Sequence, residues 1–342
     1  MGHGLEESDR MADVGKLAWH GLGQELPSGI GAEDAAKLIG CDWATELQPL
    51  YRAVPNDGSA FAGNTARIED HFAHCRKDNG AFLGIVQKDY VPVENLDVAR
   101  FADGLAGPDR AMVCESTGTL FGGKRFWSLM RMPRDIELPK GDRVATYVAV
   151  ANGHGGTAAF SCYPTTVRIV CANTLRLSER DLSKGVRFIH RAGGDAQAMK
   201  DKLATAQLVL GFADKAVAKF EEEARALVAR GWTEADAYSF FQVTFSALWP
   251  LGEGAAADTE ARWREKRNDI VAQWLRVFHS EKCAAVFGAN AWTGTQAVTD
   301  WLDHASGRGK ASLGSAERTQ SNLFGAADKQ KGQVFKLALA SL

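Results

Sequence analysis

The chain has 342 residues, enough to bury a large core in one domain or two. Hydrophobic residues make up 45% and charged residues 24%, as in an ordinary soluble globular protein. The formal net charge of −2 confines any nucleic-acid surface to a local patch. Six cysteines without a CxxC pair argue against a disulfide framework and a standard zinc site, so no metal or cofactor is expected. The first residues include Glu6, Glu7 and Asp9 and no apolar run, and no later run is long enough to span a membrane. A cytoplasmic protein is therefore expected.

Residues 1–30 read as irregular, broken by Gly15, Gly21, Gly23, Pro27 and Gly29. Within them, Trp19-His20-Gly21-Leu22-Gly23 suggests an anchoring loop. A short helix is expected over Ala32–Ile39, stopped by Gly40, and a strand region over Asp42–Val54. Residues 55–67 read as a polar, glycine-rich loop. His71, His74 and Cys75 lie close together in sequence, but no second ligand cluster follows at a useful spacing. Residues 70–76 are expected to form a surface turn before a strand over Ala81–Val86. An amphipathic helix follows over Glu94–Leu105.

Two arms, Ala111–Phe121 and Lys124–Met132, meet at Gly122-Gly123, a hairpin signal. Alternation puts Arg125, Trp127, Leu129 and Arg131 on one face of the second arm. Ser116 to Arg134 holds four basic residues and no acidic one. Aromatics interleaved with cations in this way suit base stacking and phosphate tracking, although a solvated hairpin has a similar pattern.

A three-strand meander is expected next, over Val144–Val150, Thr157–Tyr163 and Thr165–Leu175. Pro164 ends its second strand, and Arg168 faces away from Val167 and Ile169. The loop Asn152-Gly153-His154-Gly155-Gly156 is a hairpin connection or a backbone anion cradle. From Arg168 to Arg191 six basic residues outnumber Glu179 and Asp181. This makes Arg168, Arg176, Arg187 and Arg191 candidate nucleic-acid contacts beside Lys124, Arg125, Trp127 and Arg131.

After Gly193-Gly194 the pattern becomes helical. One or two helices are expected over Asp195–Arg230, then Glu234–Leu248 with Thr233 as N-cap and Asp236 completing a capping box. Further helices follow over Asp258–Phe287, Trp292–Ala305 and Ala326–Leu342, and residues 306–325 read as a loop. Trp263, Ile270, Trp274 and Phe278 form a core stripe. Cys162 and Cys171 are expected to be buried and unpaired. The fold class is α+β: an antiparallel meander and hairpin sheet in residues 1–194 packs with a helical part in 195–342, as two parts or one continuous domain.

No phosphate-loop, HExxH or GxSxG signature is present, so no catalytic residues are assigned. Three patches resemble the phage/plasmid-like protein family, the domain of unknown function 932 group. The first is Trp19-His20-Gly21-Leu22-Gly23. The second comprises Gly122-Gly123-Lys124-Arg125-Phe126-Trp127, the 152–156 loop and Val167 to Leu175. The third is Ala297 to His304, then Phe324-Gly325 and Lys329. The family loop more often reads Asn-x-His-Asp-Gly; Gly155 stands here in place of the acid, which weakens a metal reading. The resemblance implies mobile-element biology and supplies no catalytic residues.

The expected function is a nucleic-acid-binding protein, a single-stranded DNA binding or annealing accessory in replication or recombination that forms a homo-oligomer. One alternative is an enzyme with a site around His154, Arg168 and Asn173. The other is a protein-binding antagonist of host defence.

Overall fold

The computed structural model describes residues 9–14, 24–53, 65–106, 112–156, 159–168, 173–176, 186–188, 196–304 and 326–342. Residues 168, 173–176, 186–188 and 196–212 are described through their backbone. The Trp19-His20 segment, Ile169, Cys171, Arg191 and residues 306–325 lie outside the described residues. The architecture is α+β, with antiparallel sheets in the N-terminal half and helices after them.

The strands, in chain order, begin with β1 (Met11–Val14), β2 (Gln24–Leu26), β3 (Thr45–Ala53), β4 (Thr65–Arg76) and β5 (Phe82–Gln87). They continue with β6 (Val113–Leu120), β7 (Arg125–Arg131), β8 (Ile136–Leu138), β9 (Asp142–Gly153), β10 (Phe160–Arg168), β11 (Asn173–Arg176) and β12 (Val186–Phe188). Nine of them form one sheet in the order β11-β10-β9-β7-β6-β1-β2, with β12 also on β10 and β8 also on β9. The remaining three form a small sheet, β3-β4-β5.

Two of these strands, β1 and β2, fall in the stretch expected to be irregular. They are too short to show a period, and β1 is held by its antiparallel pairing to β6. The β1–β2 pair is the one parallel pairing among the described strands. The expected surface turn at 70–76 is instead the second half of β4, buried from Ala73 to Arg76. Pro164 does not end a strand: β10 runs through it. On its outer side β10 pairs with β12 over Phe160–Cys162 and with β11 from Thr165, so Tyr163-Pro164 falls between the two partners. A residue without an N–H is tolerated at such a break.

The helices are α1 (Ala32–Leu38), α2 (Asn95–Ala106), α3 (Ala196–Ala229), α4 (Glu234–Leu248), α5 (Ala257–Phe278), α6 (Ala284–Phe287), α7 (Ala291–His304) and α8 (Ala326–Ala340). Thr233 and Asp236 form the expected capping box of α4. The helix expected over Asp258–Phe287 is broken after Phe278, where the Ser280 hydroxyl donates to the Val277 carbonyl at 2.6 Å. Serine competes in this way with the helical ladder. Among the described residues, no helix is long and apolar enough to cross a membrane.

The main core lies between one face of the large sheet and the helices. Phe126, Met130, Val148, Val150 and Cys162 from the sheet join Phe220, Phe241, Trp274 and Trp292 from α3, α4, α5 and α7. A smaller cluster on the opposite face contains Trp127, Leu129, Tyr147, Ala149 and Tyr163. Consequently β9 is buried at every position except Arg143. Every residue of α7 from Ala291 to Asp303 is buried as well, and the Trp292 indole donates to the Asp142 carboxylate of β9 at 2.9 Å. Between α7 and α8, Lys331 and Asp303 form a fully buried ion pair at 2.7 Å.

Candidate functional site

Strand register places the candidate cations relative to one another. Arg131 lies opposite Tyr147, Tyr147 opposite Thr165, and Thr165 opposite Arg176, so one row crosses four strands with an arginine position at each end. A second row runs from Trp127 through Ala151 and Ser161 to Arg187. Directly opposed residues share a face. Arg125, Arg131, Arg176 and Arg187 thus occupy positions on the same face of the large sheet, while Arg168, opposite Val144, occupies the other. Lys124 is exposed in the β6–β7 turn.

Two of the expected contacts need correction. Trp127 is 0% exposed within the smaller cluster, so it offers no face on which a base can stack. Arg131 is not a solvated cation: it pairs with Glu115 at 2.9 Å and Asp135 at 2.5 Å and donates to the Tyr147 hydroxyl at 3.0 Å. The Tyr147 hydroxyl in turn donates to Glu115 at 2.5 Å. Burial, followed by the Glu115 carboxylate, raises the Tyr147 phenol above its ordinary range. Both acidic partners sit one residue outside the acid-free window of Ser116 to Arg134. Burial lowers the pKa of Arg125 as well, since a desolvated guanidinium is less favourable.

The enzyme grouping comes apart in the same register. Arg168 pairs with both Val144 and Asn173, whereas His154 follows the far end of β9 at Gly153. At about 3.3 Å per residue, His154 is about 30 Å from the other two.

His154 belongs to a joint between the two sheets. Its backbone N–H donates to the Lys124 carbonyl at 2.8 Å, and its Nε2 contacts Asn95 Oδ1 at 2.8 Å. The Asn152 amide donates to the Val93 carbonyl at 3.1 Å, and the Asn95 amide to the Cys41 carbonyl at 3.0 Å. The Gly155 N–H donates to His74 Nδ1 at 3.3 Å, so that nitrogen carries no proton. The His74 and His154 rings are fully buried, 5.5 Å apart, with Tyr90 beside His74 and Trp43 beside His154. The Arg76 guanidinium stacks 4.3 Å from the Trp43 ring centre and makes two hydrogen bonds to Asp78.

The glycines of this joint serve close approach. Gly155 and Gly156 have φ of +84° and +75°. A Cβ on Gly155 would lie 2.5 Å from the Leu83 carbonyl oxygen, and one on Gly84 would lie 2.5 Å from the Gly155 Cα. The 152–156 loop is therefore a clamp onto β5, with the amides of His154 and Gly155 already engaged, and not an open anion cradle. Sequence reasoning missed the partnership of His74 with this loop because the two are some eighty residues apart. Among the described residues, no group of three His, Cys, Asp or Glu side chains is placed to hold a metal ion.

A third feature lies next to Lys124. Phe121, Gly122 and Gly123 have φ of 59°, 69° and 88°, and the N–H groups of Gly122 and Gly123 converge on the Asp9 carboxylate at 3.1 and 2.9 Å. The family model for a domain of unknown function, DUF932, matches residues 82–328, well over half of the chain. The chain belongs to the DUF932 family. Comparisons with curated proteins and with solved structures gave no match. The DUF932 span takes in β5, the 152–156 loop, the four arginine positions and α3 to α7; Asp9, Trp43 and His74 precede it.

Proposed function

We propose that this DUF932 protein binds single-stranded nucleic acid, as a homo-oligomeric binding or annealing accessory in the replication or recombination of a prophage- or plasmid-borne element. The observation that carries the reading is the strand register, which collects Arg125, Arg131, Arg176 and Arg187 on one face of one continuous sheet. Burial of Trp127 and neutralisation of Arg131 restrict the mode. Attraction to phosphates at the β11 and β12 edge, through Arg176 and Arg187, supplies most of the affinity, and stacking on Trp127 contributes nothing. Such binding weakens steeply with salt, because each neutralised phosphate releases counterions.

Fluorescence-anisotropy titrations with single-stranded and duplex DNA at two salt concentrations test it. Arg176→Ala and Arg187→Ala are each expected to weaken single-strand binding and to reduce the salt slope by about 0.7. Arg131→Ala is expected to lower the melting temperature, because it leaves Glu115 and Asp135 without their shared cation. No measurable affinity in the parent protein at low salt would remove the reading. It would favour protein recognition, which has its own support in Phe82 and Ile85, both more than half exposed on β5.

A further inference from the structure

We infer that the Phe121–Lys124 turn is a phosphate-class oxyanion site, plugged in this state by the chain's own Asp9. The turn carries three successive residues of positive φ, and its Gly122 and Gly123 amides each hold one carboxylate oxygen of Asp9. Backbone amides converging in a turn form an anion-binding nest, and an oxyanion in such a nest gains charge-assisted hydrogen bonds. Trp43 and Arg76 pack against the turn: a Cβ on Gly123 would meet the Trp43 ring at 3.1 Å and the Arg76 guanidinium at 3.8 Å. Cationic groups lie near the nest: the exposed Lys124 is next in the chain, Arg10 donates to the Asp9 carbonyl, and Arg76, itself paired with Asp78, lies behind Gly123.

The plug and the nest come from distant parts of the chain. The turn lies inside the DUF932 span, whereas Asp9 precedes that span by more than seventy residues. Asp9 stands two residues before the start of β1, which runs along β6 as Met11 opposite Gly118, so the carboxylate is delivered to the end of the hairpin by strand pairing. A carboxylate is a close mimic of two phosphate oxygens. Removal of that side chain leaves two aligned donors beside positive charge, which suit a phosphate. The turn leads directly into Arg125, but the inference does not rest on the arginine face.

The test uses the full chain and inorganic phosphate, read by isothermal titration calorimetry and by melting temperature. Asp9→Ala is expected to bind phosphate at one site, at least ten-fold more tightly than the parent, with a saturable rise in melting temperature of roughly 2 °C at ten times Kd. Adding Lys124→Ala to that variant is expected to weaken phosphate binding several-fold. Asp9→Asn, which keeps the shape of the plug but not its charge, gives a second comparison in case Asp9→Ala does not fold, and is expected to exceed the parent in phosphate affinity. Competition by 5′-phosphorylated and 5′-hydroxyl oligonucleotides distinguishes a terminal monoester, which only the first supplies, from the backbone diester, which both supply; free phosphate is the source when neither competes. The inference is overturned if folded Asp9→Ala or Asp9→Asn shows no more phosphate response than the parent, whatever the outcome of the DNA titrations.

Discussion

Replacing glycines one at a time at the joint between the sheets separates two physical costs. Gly156→Ala introduces a side chain at φ +75° where the nearest atoms are 3.6 and 3.7 Å away, so it carries backbone strain alone, about 1–2 kcal/mol. Gly84→Ala lies at an ordinary φ but drives its Cβ to 2.5 Å from the Gly155 Cα, so it carries overpacking alone, about 1–3 kcal/mol. Gly155→Ala carries both, because φ is +84° and the Leu83 carbonyl oxygen is 2.5 Å from the new atom. Its expected cost is about 2–5 kcal/mol. The obstacle is backbone on both sides and cannot swing away as a side chain can. Urea unfolding of the three variants, compared by midpoint at constant slope, supplies the measurement. A cost for Gly155→Ala no larger than that for Gly156→Ala, or a neutral Gly84→Ala, would refute this account of the joint.

The buried pair Asp303–Lys331 gives a second expectation. Asp303→Ala should cost about 3–5 kcal/mol in thermal or urea unfolding, since the Lys331 ammonium is fully buried, while the double change Asp303→Leu with Lys331→Met should recover most of that loss. A third concerns pH. Burial pushes the Cys41 and Cys162 thiols up to about 12. Above pH 9 the unfolded chain releases these protons and the native chain keeps them, so the unfolded state binds fewer protons and stability falls as pH rises. Between pH 9 and 12 the slope should approach 1.4 kcal/mol per pH unit for each thiol, and Cys162→Ala should make it shallower. Rapid labelling of both thiols in the native protein near pH 8 would contradict this.

The sequence made the α+β class legible because long periodic segments announce themselves. The helix over Glu234–Leu248, with its Thr233 cap, and the β6–β7 hairpin at Gly122-Gly123 lie where their residues place them. The face shared by Arg125, Trp127, Leu129 and Arg131 also followed from simple alternation, with Trp127 and Leu129 in one cluster and Phe126 and Met130 in the other. Exposure of that face was not legible. A strand covered on both sides and a strand with one solvated side differ in what lies above them, and local sequence does not state this. The ion pairs of Arg131 were missed by one residue at each edge of a charge count, because a count along the chain ignores the row of residues across a sheet. The role of His74 was missed for a related reason. Its partners His154 and Gly155 are brought to it by the meeting of two sheets, and His74 itself sits in a stretch whose polar residues resemble a turn.

Burial of β9 on both sides bears on how the protein is made. The side of β9 that faces the helices packs on α2, which is made before it, but the core on that side is completed by residues of α3, α4, α5 and α7, which leave the ribosome later. From the end of β9 at Gly153 to the end of α7 at His304, synthesis at about 5–20 residues per second takes roughly 8–30 s. During that interval Phe126, Met130, Val148 and Val150 have the early helix α2 but not the later helices beside them, and the Asp142 carboxylate lacks its hydrogen bond from the Trp292 indole. A nascent chain in this condition presents a sticky, strand-rich surface to its neighbours on the same polysome. Slower translation of the helical half, or the absence of chaperones that bind emerging apolar segments, is therefore expected to lower the yield of folded protein.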